Sequence, residues 1–283
     1  MIQLCECPRD AMQGINTFIP TEVKVHYMNL LLQVGFHRLD FGSFVSPKAI
    51  PQLRDTRDVV EKLDLNTTQT QLLAIIANER GAREAAVFEG ISVLGFPFSL
   101  SETFQQRNTN ASRAQALNRI KAIAEVCFAS GKIPLVYLSM GFGNPYGDPW
   151  DPDIALYYTQ KLQEAGIREI MIADTTGVSS VDKIRALFPQ LQAACPEITF
   201  GLHLHSEAGS SYAKVKAALE AGCHKFDSAL RGFGGCPMAE DELVGNIATE
   251  TILQVLEDTH QPYPYNQKAW QEALLYSTQV FTQ

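Results

Sequence analysis

The sequence has no block of basic residues and no uninterrupted apolar run near the roughly 18 residues of a membrane span. Its 23 lysines and arginines stand against 31 acidic residues, and the net charge of −8 has the wrong sign for a phosphate-backbone partner or a polybasic membrane anchor. Neither nucleic acid nor membrane is therefore an expected partner. The opening Met1-Ile2-Gln3-Leu4 shows no basic stretch leading into an apolar one, so the expected location is cytoplasmic. Cysteine is sparse: Cys5, Cys7, Cys127, Cys195, Cys223 and Cys236 are scattered and form no CxxC pair, which excludes a disulfide scaffold. No Ser/Pro/Gly-rich linker divides the 283 residues.

What is present is alternation. Runs dense in β-branched and aromatic residues fall at 2–7, 38–44, 70–77, 91–96, 133–140, 169–174, 199–205 and 225–230. Segments of helical spacing lie between them, clearest at 112–130, 152–165, 181–194 and 211–221, the last closed by Gly222 as a C′ residue. Strand starts recur at about 32 residues, the spacing of repeated βα units. A doubly wound sheet would carry a glycine fingerprint after its first strand, and Cys7-Pro8-Arg9-Asp10 has none. The sequence thus predicts an α/β fold: a single (β/α)8 TIM barrel over 1–283, with a short C-terminal helical extension and its active site at the carboxyl ends of the strands.

That expectation selects residues. Arg9 and Asp10 follow the first strand, Asp40 lies near the end of the second, and His203 and His205 end the seventh. His203 and His205 are two apart on a strand, so both imidazoles point to one side, as two metal ligands would. An HxH pair is also compatible with hydrogen-bonded core histidines. Asp10 and Asp40 add oxygen donors, and a mixed nitrogen and oxygen set suits Mg²⁺ or Mn²⁺ better than a structural zinc site, though zinc stays open. Asp10 alone also suits a helix N-cap, Asp40 a partner of a barrel lysine and Arg9 the surface. Their convergence on one rim favours the cation. After the eighth strand, Gly232-Phe233-Gly234-Gly235-Cys236-Pro237 can bring a thiol and backbone amides close to a ligand, or be a plain turn.

The segments Glu6-Cys7-Pro8-Arg9-Asp10-Ala11-Met12-Gln13, Asp40-Phe41-Gly42-Ser43-Phe44-Val45-Ser46-Pro47-Lys48, His203-Leu204-His205 and Gly232 to Pro237 resemble hydroxymethylglutaryl-CoA lyase, within the wider group of metal-dependent lyase and Claisen-condensing barrels. The resemblance spans essentially the whole chain in the same order. It implies cleavage of 3-hydroxy-3-methylglutaryl-CoA to acetyl-CoA and acetoacetate, a retro-Claisen reaction on an acyl-CoA substrate, in a homodimer. It further implies that Asp10, His203, His205 and Asn246 bind the divalent cation, that Arg9 neutralises the thioester oxygen, and that Cys236 acts as acid. A related aldolase or condensing enzyme, or a silent barrel kept for binding, are the competing readings.

The chemistry asks for such groups independently. Cleavage starts with deprotonation of a tertiary alcohol, for which a cation and a base suffice, and Asp10 or a neutral histidine could serve as the base. Asp40 would orient one partner or relay charge. An enolate leaves, so fixed positive charge from Arg9 favours the transition state. The sequence departs from the family pattern in four places, one being that Cys236 stands one residue farther from Asn246 than in relatives, which makes Asn246 the weaker ligand. Asp40 stands where many relatives have glutamate, Ser206-Glu207 follows the histidine pair, and Gly14-Ile15-Asn16-Thr17 lacks a lysine that some relatives have. Of the other histidines, His26 and His37 are expected to flank the first long helix, with His224 and His260 away from the site. Cys5 and Cys7 are read as small core residues. Tyr137, Asn144, Asp174 and Thr175 are candidates for the pocket lining.

Overall fold

Residues alternating along each strand point alternately inward and outward, and here the inward set closes on itself. The computed structural model describes residues 1–234 and 244–281. Its strands are β1 (Gln3–Glu6), β2 (Arg38–Ser43), β3 (Gln71–Ile75), β4 (Ile91–Ser99), β5 (Ile133–Ser139), β6 (Glu169–Asp174), β7 (Thr199–Leu204) and β8 (Lys225–Ser228). Each pairs in parallel with the next, and β8 pairs with β1 to close the barrel, with Cys5 opposite Asp227 and Glu6 opposite Ser228. The expected (β/α)8 barrel is therefore the observed fold.

Leu73, Ile75, Val93, Leu135, Tyr137 and Met171 pack inside the barrel as one apolar cluster. The alternate residues, Leu72, Leu94, Val136, Ile170 and Leu202 among them, face outward and join the larger core beneath the helices. Local signals set the helix starts. Ser112 and Gln115 form a reciprocal capping box on Arg113–Ala129, while Asp151 and Ser180 cap Pro152–Glu164 and Val181–Ala194. Gly222, at φ +89°, follows Ala208–Glu220, which starts three residues before the expected 211.

The first and last expected strands are shorter in the structure. The chain turns at Cys7 into the helix Pro8–Gln13, and after Ser228 it enters a tight turn at Leu230–Gly232, where Arg231 is left-handed at φ +61°. His26 lies within the helix Thr21–Val34 rather than beside it, its ring against Tyr276 of the C-terminal helix Gln267–Phe281. At the amino end of the barrel, Arg38 and Lys225 both pair with Glu169, at 2.6 and 2.5 Å. No helix among the described residues is long and apolar enough to cross a membrane.

Candidate active site

Pro8 starts a short helix directly after β1, so Arg9 and Asp10 sit at the carboxyl rim of the barrel. The register shift between Asp40 and Gly42 in the pairing of β2 with β3 marks a bulge beside Asp40, and Gly42 is required there because a Cβ would meet Thr56 Cγ2 at 2.5 Å. Asp40 is fully buried and accepts three hydrogen bonds from Arg9: Nε reaches Oδ1 at 3.1 Å and Oδ2 at 3.0 Å, and Nη2 reaches Oδ2 at 2.6 Å. Arg9 Nη1 donates to Asp10 Oδ1 at 3.1 Å and to Gln13 Oε1 at 2.9 Å. The guanidinium is thus fixed in plane on three sides. Asp40 partners this arginine, not a barrel lysine.

The histidines face each other. His203 Nε2 and His205 Nε2 are 3.2 Å apart, while His203 Nδ1 meets Asp227 Oδ2 at 3.0 Å and His205 Nδ1 meets the Thr175 carbonyl at 3.1 Å. With each Nδ1 proton given to an oxygen acceptor, both Nε2 lone pairs point into the same space. Two facing lone pairs repel unless a cation or proton lies between them. One ligand atom each from Asp10, His203 and His205 fall within 4.8 Å of one another, a donor set that fits a divalent ion. Asn246, bridged to His205 along the backbone, donates Nδ2 to Asp10 Oδ2 at 2.8 Å and to the Phe233 carbonyl at 2.9 Å. It therefore reaches the trio through Asp10.

Charge follows from these contacts. Burial alone would raise Asp10, but Arg9 and the two histidines hold it down at about 2. Burial pushes Asp40 up to about 6 in spite of Arg9. His203 is raised, because Asp227 on Nδ1 outweighs the burial that disfavours its cation, whereas burial and the neighbouring His203 lower His205. One imidazole is made more basic and the other kept neutral.

These groups form the floor of a pocket of about 210 Å³, walled by Val45, Ile50, Ile75, Pro97, Phe104 and Tyr137. Arg9, Asp10, His203 and His205 come together as expected, with Asp40 immediately behind Arg9. Tyr137 and Thr175 also line the pocket, but Asn144 is turned to Asp148 and Asp174 to Ser179. Cys236 lies outside the described residues. Sequence reasoning missed Gln13 and Asp227. Asp227 shares the inward parity of β8, and pairing that parity with the inward histidine on β7 is the signal that would have found it.

The fold and this donor set define a metal-dependent barrel enzyme acting at its carboxyl rim. Residues 1–274 match the HMGL-like family, and the chain belongs to that family. It is 34% identical over 250 residues to a hydroxymethylglutaryl-CoA lyase of Bacillus subtilis, a match covering 88% of this chain and 83% of the relative. A 3-hydroxy-3-isohexenylglutaryl-CoA/hydroxymethylglutaryl-CoA lyase of Pseudomonas aeruginosa is 31% identical, over 88% of this chain and 82% of its own. Among solved structures, the Bacillus subtilis HMG-CoA lyase superposes with a TM-score of 0.92 at 29% identity, over 100% of this chain and 94% of that one. An HMG-CoA lyase of Acinetobacter baumannii in complex with coenzyme A and 3-methylmalate gives 0.91 at 28%, over 100% and 92%.

Proposed function

We propose that this protein is a carbon–carbon lyase that cleaves 3-hydroxy-3-methylglutaryl-CoA to acetyl-CoA and acetoacetate. The observation that carries the reading is the convergence of Asp10 with both imidazole Nε2 atoms beside a guanidinium pinned by Asp40. Asp10, His203 and His205 would hold Mg²⁺ or Mn²⁺, with the side-chain oxygen of Asn246 as a further ligand. When bound, the cation lowers the pKa of the substrate hydroxyl and neutralises adjacent oxygens.

The chain's own residues account for the remaining steps. Asp10, whose carboxylate keeps lone pairs beyond the one offered to the ion, takes the proton of the tertiary alcohol, and Asp227 behind His203 Nδ1 keeps that imidazole's Nε2 turned toward the cation. The carbon–carbon bond then breaks, its electron pair passing into the thioester as an enolate. Arg9 meets that growing negative charge, and its bonds to Asp40, Asp10 and Gln13 mean that little reorganisation is needed as the charge develops. Cys236, in the segment that resembles the family's acid loop, delivers the proton to the enolate carbon. The apolar wall of Val45, Ile50 and Phe104 favours an acyl chain over a free polyhydroxy acid. A cytoplasmic homodimer completes this reading.

Incubating the purified protein with 3-hydroxy-3-methylglutaryl-CoA, with and without Mg²⁺ or Mn²⁺, and measuring acetoacetate tests it. Metal-dependent acetoacetate is expected, and its absence would remove this substrate.

A further inference from the structure

Below the reaction site lies a second cluster of donor atoms, two sulfurs that the reaction does not use and one carboxylate that it does. Cys5 and Asp227 are opposite each other in the β1–β8 register, and Cys7 follows two residues on, so the three side chains meet inside the barrel. Cys7 Sγ and Cys5 Sγ are 3.9 Å apart, and both sulfurs and a carboxylate oxygen of Asp227 fall within 4.8 Å of one another. Two thiolates on a tetrahedral zinc ion, each at about 2.3 Å, stand about 3.8 Å apart. The two cysteines already have that spacing without any rearrangement of the backbone.

A second observation points to a ligand in the same place. The hydroxyl of Tyr137 is buried and has no hydrogen-bond partner among the described residues. Its ring meets His203 edge-on at 5.5 Å. Tyr137, Cys5 and Asp227 also line one small cavity of about 10 Å³ in the amino-terminal half of the barrel. Thiols used only for packing would sit among apolar neighbours; these share their space with the Asp227 carboxylate.

Two thiolates, one carboxylate and a divalent cation sum to −1, the same as two neutral thiols and the carboxylate, so binding leaves unchanged the balance against the ion-paired set beneath, Arg38 and Lys225 against Glu169, with its excess of +1. We propose that Cys5, Cys7 and Asp227 form a second cation site, one layer below Asp10, His203 and His205, that takes a thiophilic divalent ion such as Zn²⁺. Binding releases the two thiol protons to solvent and forms two metal–sulfur bonds. Magnesium, which seeks oxygen, is not a competitor for it. The site shares Asp227 with His203, so filling it draws the carboxylate away from the imidazole and lowers turnover. That consequence rests on the role given to His203 above; the binding itself does not.

The test uses the reduced, chelator-stripped full-length protein in saturating Mg²⁺, titrated with Cd²⁺ while the ultraviolet thiolate-to-cadmium charge-transfer band is followed. The expected result is one equivalent bound with the amplitude of two thiolates. In Cys5→Ser and in Cys7→Ser the amplitude should fall by half or more and the affinity by at least about tenfold. Cys223→Ser and Cys236→Ser should leave both unchanged. The proposal is overturned by the absence of a band, by a band that survives both Cys5→Ser and Cys7→Ser, or by one lost with Cys236→Ser. Should the serine variants fail to fold by circular dichroism, cadmium-113 NMR of the unaltered protein decides. A resonance in the sulfur-ligated range supports the site, and one only in the nitrogen and oxygen range overturns it.

Discussion

Arg9 and Asp40 are joined by three hydrogen bonds, the shortest 2.6 Å, in a setting where Asp40 is wholly buried. A lysine cannot reproduce this, because an ammonium is a point charge without the planar fork that meets Asp40, Asp10 and Gln13 together. Arg9→Lys should therefore lower kcat by about 10²–10³ with little change in metal affinity. Steady-state acetoacetate formation and Mn²⁺ binding by calorimetry separate the two. Equal losses in both would make Arg9 part of the metal site.

Asp227 orients His203 from behind, at 3.0 Å from Nδ1. Asp227→Asn keeps the shape and removes the charge, so the tautomer that presents Nε2 is no longer favoured. Divalent-ion affinity at the reaction site should fall about 10–100-fold. Isothermal titration with Mn²⁺ measures it, and an unchanged affinity would reduce the Asp227 contact to packing.

Gly234 has φ +99°, and a Cβ there would lie 2.7 Å from Asn246 Nδ2 and 2.8 Å from Ala11 Cα. Gly234→Ala should cost about 1–3 kcal/mol in local strain and displace Asn246 from Asp10. The expected outcome is a fall in kcat/KM of at least about tenfold with a far-ultraviolet circular dichroism spectrum like that of the parent. Full activity would show that the Asn246–Asp10 bond is dispensable.

Glu169 sits between Arg38 and Lys225, and although burial would raise it, the Arg38 hydrogen bond and both cations hold it at about 2, down from 4.5. A carboxyl lowered on folding contributes stability above its unfolded value, and that contribution is lost as pH falls from about 4.5 through 2. Glu169→Gln should destabilise the protein at neutral pH by about 3 kcal/mol, since two cations are left against a neutral amide. It should also flatten the acid limb of stability against pH. Urea midpoints across that range provide the measurement, and parallel curves for the two proteins would contradict the assignment.

Much of the site was legible because its residues announce themselves by position. Arg9 and Asp10 follow a strand, and His203 and His205 share one face of another, so a barrel expectation is enough to bring them to one rim. Asp40 was legible as a site residue, but its partner was not: the choice between lysine and arginine depends on which rim residue lies across from β2. Asp227 was hidden for a related reason. Its strand is short, and the one signal in Lys225-Phe226-Asp227-Ser228, an aspartate of inward parity, points to a histidine 24 residues earlier only once the β7–β8 register is known. The eighth strand and the helix beginning at Ala208 also ended or began away from their expected limits, because caps and turns there are set by tertiary contacts.

By itself the sequence determined the order of strands and helices, the barrel they build and the residue types that reach its carboxyl rim, since periodicity and turn chemistry act over a few neighbouring residues. Only the tertiary structure decided that Asp40 clamps Arg9, that the two imidazoles direct their lone pairs at each other, and that Cys5 and Cys7 meet Asp227. Those relationships are made across the barrel axis, where distance in space is fixed by closure and register and is unrelated to distance along the chain.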